Sequence, residues 1–281
     1  MITLKNENLT VRIKPFGAEL SGISSNQTGR EYLWQGDPAV WAGQAPVLFP
    51  IVSRLSSDSF FHEGKQYFLP KHGFARKSAF AVDKAEETEA VFSLTSSDET
   101  HRVYPFDFRL TVGFSLDGNT VTATHTVENT GNAEMHFSIG AHPAFNLNLG
   151  DIVRFAEAET LTTCLWNEYG LYYDEKTIAT DCRDVEITEH LFDDDALFFR
   201  DLKSTSATIV QKDGTPVLEM TYDKVPFLGL WAKPGASFVC IEPWHGIADT
   251  PAVSGVLSEK PYILHLPAGE TFRFTYSVKI L

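Results

Sequence analysis

Gly140-Ala141-His142-Pro143-Ala144-Phe145-Asn146 and Phe238-Val239-Cys240-Ile241-Glu242-Pro243-Trp244-His245-Gly246 bring His142 and Glu242, respectively, out of an apolar run just before a proline breaks it. A histidine fixed between Ala141 and Pro143 suits proton transfer near neutral pH. A carboxylate that follows four apolar strand residues is paired, open to a cleft, or partly desolvated, and the last condition makes it a better general base. The plain alternatives are a His142 bonded to a turn carbonyl and a Glu242 on a solvated strand edge. Trp244 offers either a stacking face or core bulk.

A third region delivers cations in the same way. Pro46-Val47-Leu48-Phe49-Pro50-Ile51-Val52-Ser53-Arg54-Leu55 is followed by Leu69-Pro70-Lys71-His72-Gly73-Phe74-Ala75-Arg76. Arg54 is a fixed charge with forked donors, suited to hydroxyl, carboxylate or phosphate oxygens, or to a surface ion pair. No Gly-x-Gly-x-x-Gly, P-loop, His-Glu-x-x-His or Gly-x-Ser-x-Gly pattern is present.

The elements that must hold these residues are strands. Phe108, Leu110, Val112, Phe114 and Leu116 alternate with polar or small residues, Asp117-Gly118-Asn119 supplies a turn, and Thr120–Val127 resumes in β-branched residues. That reads as an antiparallel hairpin. Phe272–Ile280 repeats the alternation at the C-terminus. Shorter strands are expected at Leu9–Ile13, Ala90–Thr95, Met135–Ile139, Ala207–Gln211, Val217–Tyr222, Phe227–Trp231 and Ser237–Ile241. Helical turns are expected only at Thr188–Phe192, with Thr188 as cap, and at Ala39–Gly43. Many short strands without long amphipathic helices predict an all-β antiparallel sandwich or barrel.

Composition sets outer bounds. The 281 residues are 43% hydrophobic and 21% charged, enough for a full core, and no linker or repeat divides them, so one domain over 1–281 is expected. The net charge of −14 disfavours nucleic acid and anionic membrane surfaces as partners. Cys164, Cys182 and Cys240 are too few and scattered for a disulfide framework or a zinc motif, so no metal is expected. The first residues hold no apolar leader and no apolar run reaches membrane-spanning length, which predicts a cytoplasmic protein.

Taken together, Ser53-Arg54, Leu69-Pro70-Lys71-His72-Gly73, Ala141-His142-Pro143-Ala144-Phe145 and Glu242-Pro243-Trp244 resemble the aldose 1-epimerase (galactose mutarotase) family. The likeness is to its bacterial branch with the His-Gly-Phe-Ala-Arg signature and runs from Leu4 to the final strand. It implies a large antiparallel β-sandwich of the galactose-mutarotase-like supersandwich type, with a sugar site in an open cleft and no cofactor. By motif match, His142 takes the general-acid position and Glu242 the general-base position. His72 and Arg54 match residues that hold sugar oxygens, and Asp195 of Asp193-Asp194-Asp195 matches a carboxylate that binds hydroxyls, with the choice among the three open.

The implied activity is interconversion of α and β anomers of a pyranose aldose. A base removes the proton on O1 while an acid protonates the ring oxygen O5, the C1 carbonyl turns, and the roles reverse on closure, each group contributing ~10²–10⁴-fold. Trp244, Trp231, Phe74 and Phe145 are candidate stacking faces. Arg76 and Lys71 beside His72-Gly73 also fit a hexose-6-phosphate 1-epimerase, and a non-catalytic carbohydrate-binding module is the rival of another class.

Overall fold

The computed structural model describes residues 1–281, about 52% in strands and 5% in helices. Twenty-two strands form an antiparallel β-sandwich with few helical turns, as expected. One sheet of 15 strands dominates, and its central path runs Val47–Leu48, Ile139–Ala141, Phe238–His245, Phe227–Trp231, Leu197–Arg200, Ile152–Trp166. It continues through Ser206–Val210, Pro216–Tyr222, Thr271–Ile280, Thr120–Asn129, Phe108–Asp117, Glu89–Thr95 and Ala81–Ala85. A core of 67 buried residues draws on the chain from Leu4 to Ile280.

The hairpin read from alternation forms as Phe108–Asp117 and Thr120–Asn129, with Asp117 paired to Thr120 and Gly118 at positive φ in the two-residue loop. Its apolar positions are all buried, and burying each large side chain contributes roughly 1.5–3 kcal/mol. The C-terminal strand pairs with Thr120–Asn129 on one side and Pro216–Tyr222 on the other.

Three expectations are corrected. The Met135–Ile139 strand is split into Met135–Phe137 and Ile139–Ala141, because Ser138 turns its N–H to the Pro50 carbonyl (2.7 Å) and its hydroxyl oxygen accepts the Val52 N–H (2.9 Å). Ala39–Gly43 is not helical: the N–H groups of Val40 and Trp41 both close on the Asp37 carbonyl, and the Trp41 carbonyl is taken by the Trp34 indole. Thr188–Phe192 is a run of turns whose closing bonds are long, 3.4 Å, too short a segment to nucleate a helix. The one α-helical turn is Asp98–His101, held by a capping box from Ser97 and Thr100.

Candidate active site

Strand register explains how residues 100 positions apart come together. The chain from Ile139 to Asn146 runs antiparallel to Phe238–His245, pairing Gly140 with Trp244 and, further on, Ala144 with Cys240. The unbroken register sets His142 directly across from Glu242. Pro143 and Pro243 lack the N–H groups a ladder needs there, so the two strands part around this one pair. The result is a direct contact, His142 Nε2 to Glu242 Oε2, at 3.2 Å.

The period of two supplies the surroundings. Trp244 lies on the same face as Glu242, two residues on, and Trp231 and Phe198 reach that face from the next two strands through the pairs Trp231–Cys240 and Phe198–Gly229. Gly140 makes room for the Trp244 indole: a Cβ there would lie 2.5 Å from its Cδ1. Trp41 stacks on His142 with centroids 5.1 Å apart, and Trp231 meets the same ring edge-on at 5.7 Å. These residues wall a cleft of about 370 Å³, within the ~300–1,000 Å³ usual for small-molecule sites.

The opposite wall comes from the Ser53 and Lys71–Arg76 segments. Ser53 and His72 clasp each other, the Ser53 N–H donating to His72 Nδ1 at 3.0 Å and the His72 N–H to the Ser53 carbonyl at 2.8 Å. Both residues sit at positive φ, as does Asp195 across the cleft, and each such non-glycine conformation costs about 1–3 kcal/mol. Three left-handed residues lining one cleft mark where the fold spends stability on side-chain placement. Gly73 is at positive φ too, and a Cβ there would strike the Phe49 carbonyl oxygen at 2.3 Å.

Burial governs the electrostatics. Glu242, 1% exposed at its side chain, has its carboxyl pushed well above the usual range by desolvation; Lys71 opposes this and Asp195 adds to it. His142, 12% exposed, is driven down to about 3, chiefly by desolvation and further by Lys71 and Arg76. Burial, then Lys71 and His142, likewise hold His72 well below 6.5. Apart from the His142–Glu242 contact, the buried atoms Glu242 Oε2, His142 Nδ1, Trp244 Nε1 and Arg76 Nε of the cleft residues make no hydrogen bond within the protein.

Of the residues expected from sequence, His142, Glu242, His72, Asp195, Arg76 and Trp244 all line this cleft. Among the three aspartates Asp195 is the one in the wall; Asp193 bonds His190 at 2.9 Å, and Asp194 faces a neighbouring hollow. Arg54 stands outside: it pairs with Asp58 at 3.2 Å and lines an adjoining groove that shares Lys71, Gly170 and Asp195 with the cleft. Trp231 is a wall residue, whereas Phe145 is fully buried and Phe74 packs on Phe49, Tyr104 and Phe108. Trp41, Trp166 and Lys233 also line the cleft without having been singled out in the sequence. Two trios, His142 with Cys240 and Glu242, and Glu134 with His136 and His265, place metal-ligating atoms within 4.8 Å of one another.

Comparison with known proteins gives a consistent relationship. A galactose mutarotase related enzyme from Lactobacillus acidophilus superposes with a TM-score of 0.93 at 31% identity, covering 99% of this chain and 96% of that one. A galactose mutarotase-like protein from Lactobacillus casei also gives 0.93, at 25% identity, with both chains fully covered. The chromosomal protein LacX of Lactococcus lactis subsp. lactis is 32% identical over 297 residues, across 100% of this chain and 99% of its own. The family model described as aldose 1-epimerase matches residues 1–279, and the chain belongs to that family.

Proposed function

We propose that the protein is a cofactor-independent aldose 1-epimerase that equilibrates the α and β anomers of a pyranose aldose, with Glu242 and His142 as its acid–base pair. The observation that carries this is their 3.2 Å contact among aromatic walls, where a carboxylate and an imidazole can reach O1 and O5 of one ring. The pair rests neutral, with its one shared proton on Glu242; in the opening step that proton has passed across the 3.2 Å contact to His142, and Glu242 then takes the O1 proton while His142 gives its proton to O5. Opening thus converts a charged pair to a neutral one, the direction that desolvation of both groups favours. After the C1 carbonyl turns, the same two transfers run backwards on the other face. His72, Asp195 and Arg76 orient the hydroxyls, and Trp41, Trp231 and Trp244 offer faces to the ring's CH groups.

Polarimetry on freshly dissolved α-D-glucose and α-D-galactose tests the reading. Faster equilibration with the wild type than with Glu242→Gln supports it, and equal rates refute it.

A second reading differs in substrate only. Lys71, Arg76 and Lys233 line the cleft of a protein whose net charge is −14, a concentration of cations suited to a phosphate on the sugar. α-D-Glucose-6-phosphate belongs beside the free sugars in the same assay.

A further inference from the structure

Away from the cleft, a second set of titratable side chains meets across a short two-stranded sheet. Met135–Phe137 pairs antiparallel with Leu264–Leu266, and the register places His136 directly opposite His265. Glu134 immediately precedes the strand, two residues before His136, and its carboxylate comes to the same side as the His136 ring. The distances follow: Glu134 Oε1 lies 3.0 Å from His265 Nδ1 and 3.8 Å from His136 Nδ1. The two imidazole centroids are 4.7 Å apart.

His136 is the unexplained member. It is 7% exposed, packed against Phe106 at 5.8 Å, and its carbonyl is fixed by the buried Tyr104 hydroxyl at 2.8 Å. Its Nδ1 is buried and makes no hydrogen bond, a condition that costs about 1–3 kcal/mol when nothing fills it. The Glu134–His265 hydrogen bond satisfies the other two residues and leaves this nitrogen pointing into the gap among them.

We propose that Glu134, His136 and His265 bind a divalent transition-metal ion of the Zn²⁺ type. Ligands at ~2.0–2.1 Å around a tetrahedral ion stand about 3.3 Å from one another. The two separations from Glu134, 3.0 and 3.8 Å, bracket that value, and the two imidazole nitrogens lie within 4.8 Å of each other, so side-chain rotations close the site. Two imidazoles and one carboxylate suit Zn²⁺ or Co²⁺, whereas Mg²⁺ and Ca²⁺ prefer oxygen alone. Glu134 and His265 are half-exposed, which gives the ion an entry path and leaves a fourth position to water. None of the three residues lines the sugar cleft. The bound ion cross-links the strand leading towards His142 to the segment leading into the C-terminal strand.

The test titrates chelator-treated, full-length protein with Co²⁺ and reads visible absorption and melting temperature. One equivalent bound with tetrahedral bands and a raised melting temperature is expected. Both signals are lost in His265→Ala and in Glu134→Ala, half-exposed positions where the fold is retained, and both persist in Glu242→Gln, which dismantles the other trio. Anomer equilibration is unchanged in His265→Ala and Glu134→Ala. Absence of binding by the wild type, persistence of binding in either alanine variant, or a thiolate-to-cobalt band assigning the ion to Cys240 overturns the proposal.

Discussion

The Ser53 backbone N–H donates to Nδ1 of His72 at 3.0 Å, which fixes the imidazole as the Nε2–H tautomer. Burial holds the ring neutral far below pH 6.5, with Lys71, His142 and Arg76 opposing any charge on it. His72 therefore works as a hydrogen-bond donor, not as a proton carrier. Ring-nitrogen NMR from pH 5 to 8 is expected to show a protonated Nε2 and a bare Nδ1 throughout. His72→Ala should lower kcat/KM by about 10²-fold, the scale of one lost preorganised donor. A titration of this ring near pH 6.5 excludes the donor role.

On the proposed acid–base pairing of Glu242 with His142, Glu242→Gln and His142→Asn should each cost ~10²–10⁴-fold in kcat. The double variant should be scarcely slower than either single one. The pH profile follows from the two directions. His142 gains its proton only as pH falls through about 3, so no acidic limb is expected at 6.5. The Glu242 carboxyl ionises above its usual range, so activity changes on the alkaline side as that proton leaves the pair. Activity that falls as the pH drops through 6.5 is incompatible with this assignment, as is retention of most of the wild-type rate by either single variant.

Gly140→Ala tests the placement of Trp244. The added Cβ would meet the indole at 2.5 Å, and overpacking of this kind costs about 1–3 kcal/mol. The indole is the movable partner, so the expected result is a folded protein with shifted tryptophan fluorescence and a raised KM. Unchanged fluorescence and kinetics would show that the cleft does not depend on this contact.

The parts of this molecule that alternation could reveal are those where one strand face is uniformly buried. Phe108–Asp117 and Thr271–Ile280 are of that kind. The 15-residue strands Ile152–Trp166 and Tyr172–Glu186 are not: their ladder shifts register four times, and much of the second is exposed on both faces, so no period of two survives in the sequence. At the site, proline and glycine breaks marked His72, His142 and Glu242. The alignment of His142 with Glu242 arises from non-local pairing, which no local pattern encodes. Trp41 and Trp166 look like core aromatics in the sequence, and Lys233 like surface charge; only the cleft distinguishes them. Arg54 fails to join the lining because Asp58, four residues on, holds its guanidinium at the rim.

His125 supplies an acid-sensitive element remote from the cleft. It is 2% exposed, stacked on Phe274 at 4.5 Å, and desolvation lowers its pKa to about 3. A base depressed in the folded state contributes stability above its unfolded value of 6.5, and that contribution is lost as pH falls towards 3, by at most ~1.4 kcal/mol per pH unit. His125→Phe keeps the stack and removes the titration. Denaturant melts between pH 4 and 6.5 should therefore show a shallower acid slope for the variant, and parallel slopes would assign the acid loss to other groups.

The cations of the cleft decide between a neutral and a phosphorylated sugar. Lys71 and Lys233 are exposed while lining the cleft with Arg76, so they can reach an anionic substituent without being buried by it. If the natural substrate carries a phosphate, Lys233→Glu replaces an attraction by a repulsion, and kcat/KM for α-D-glucose-6-phosphate should fall by at least about tenfold, ~1.4 kcal/mol. The value for α-D-glucose should stay within about twofold, since the proposed O1 and O5 chemistry rests on Glu242 and His142. Added salt should weaken the phosphorylated substrate alone, because exposed charges are screened over ~8–10 Å at physiological ionic strength. Equal effects of Lys233→Glu on both sugars would mean that the lysine positions the ring or the fold, and the free aldose then stands as the substrate.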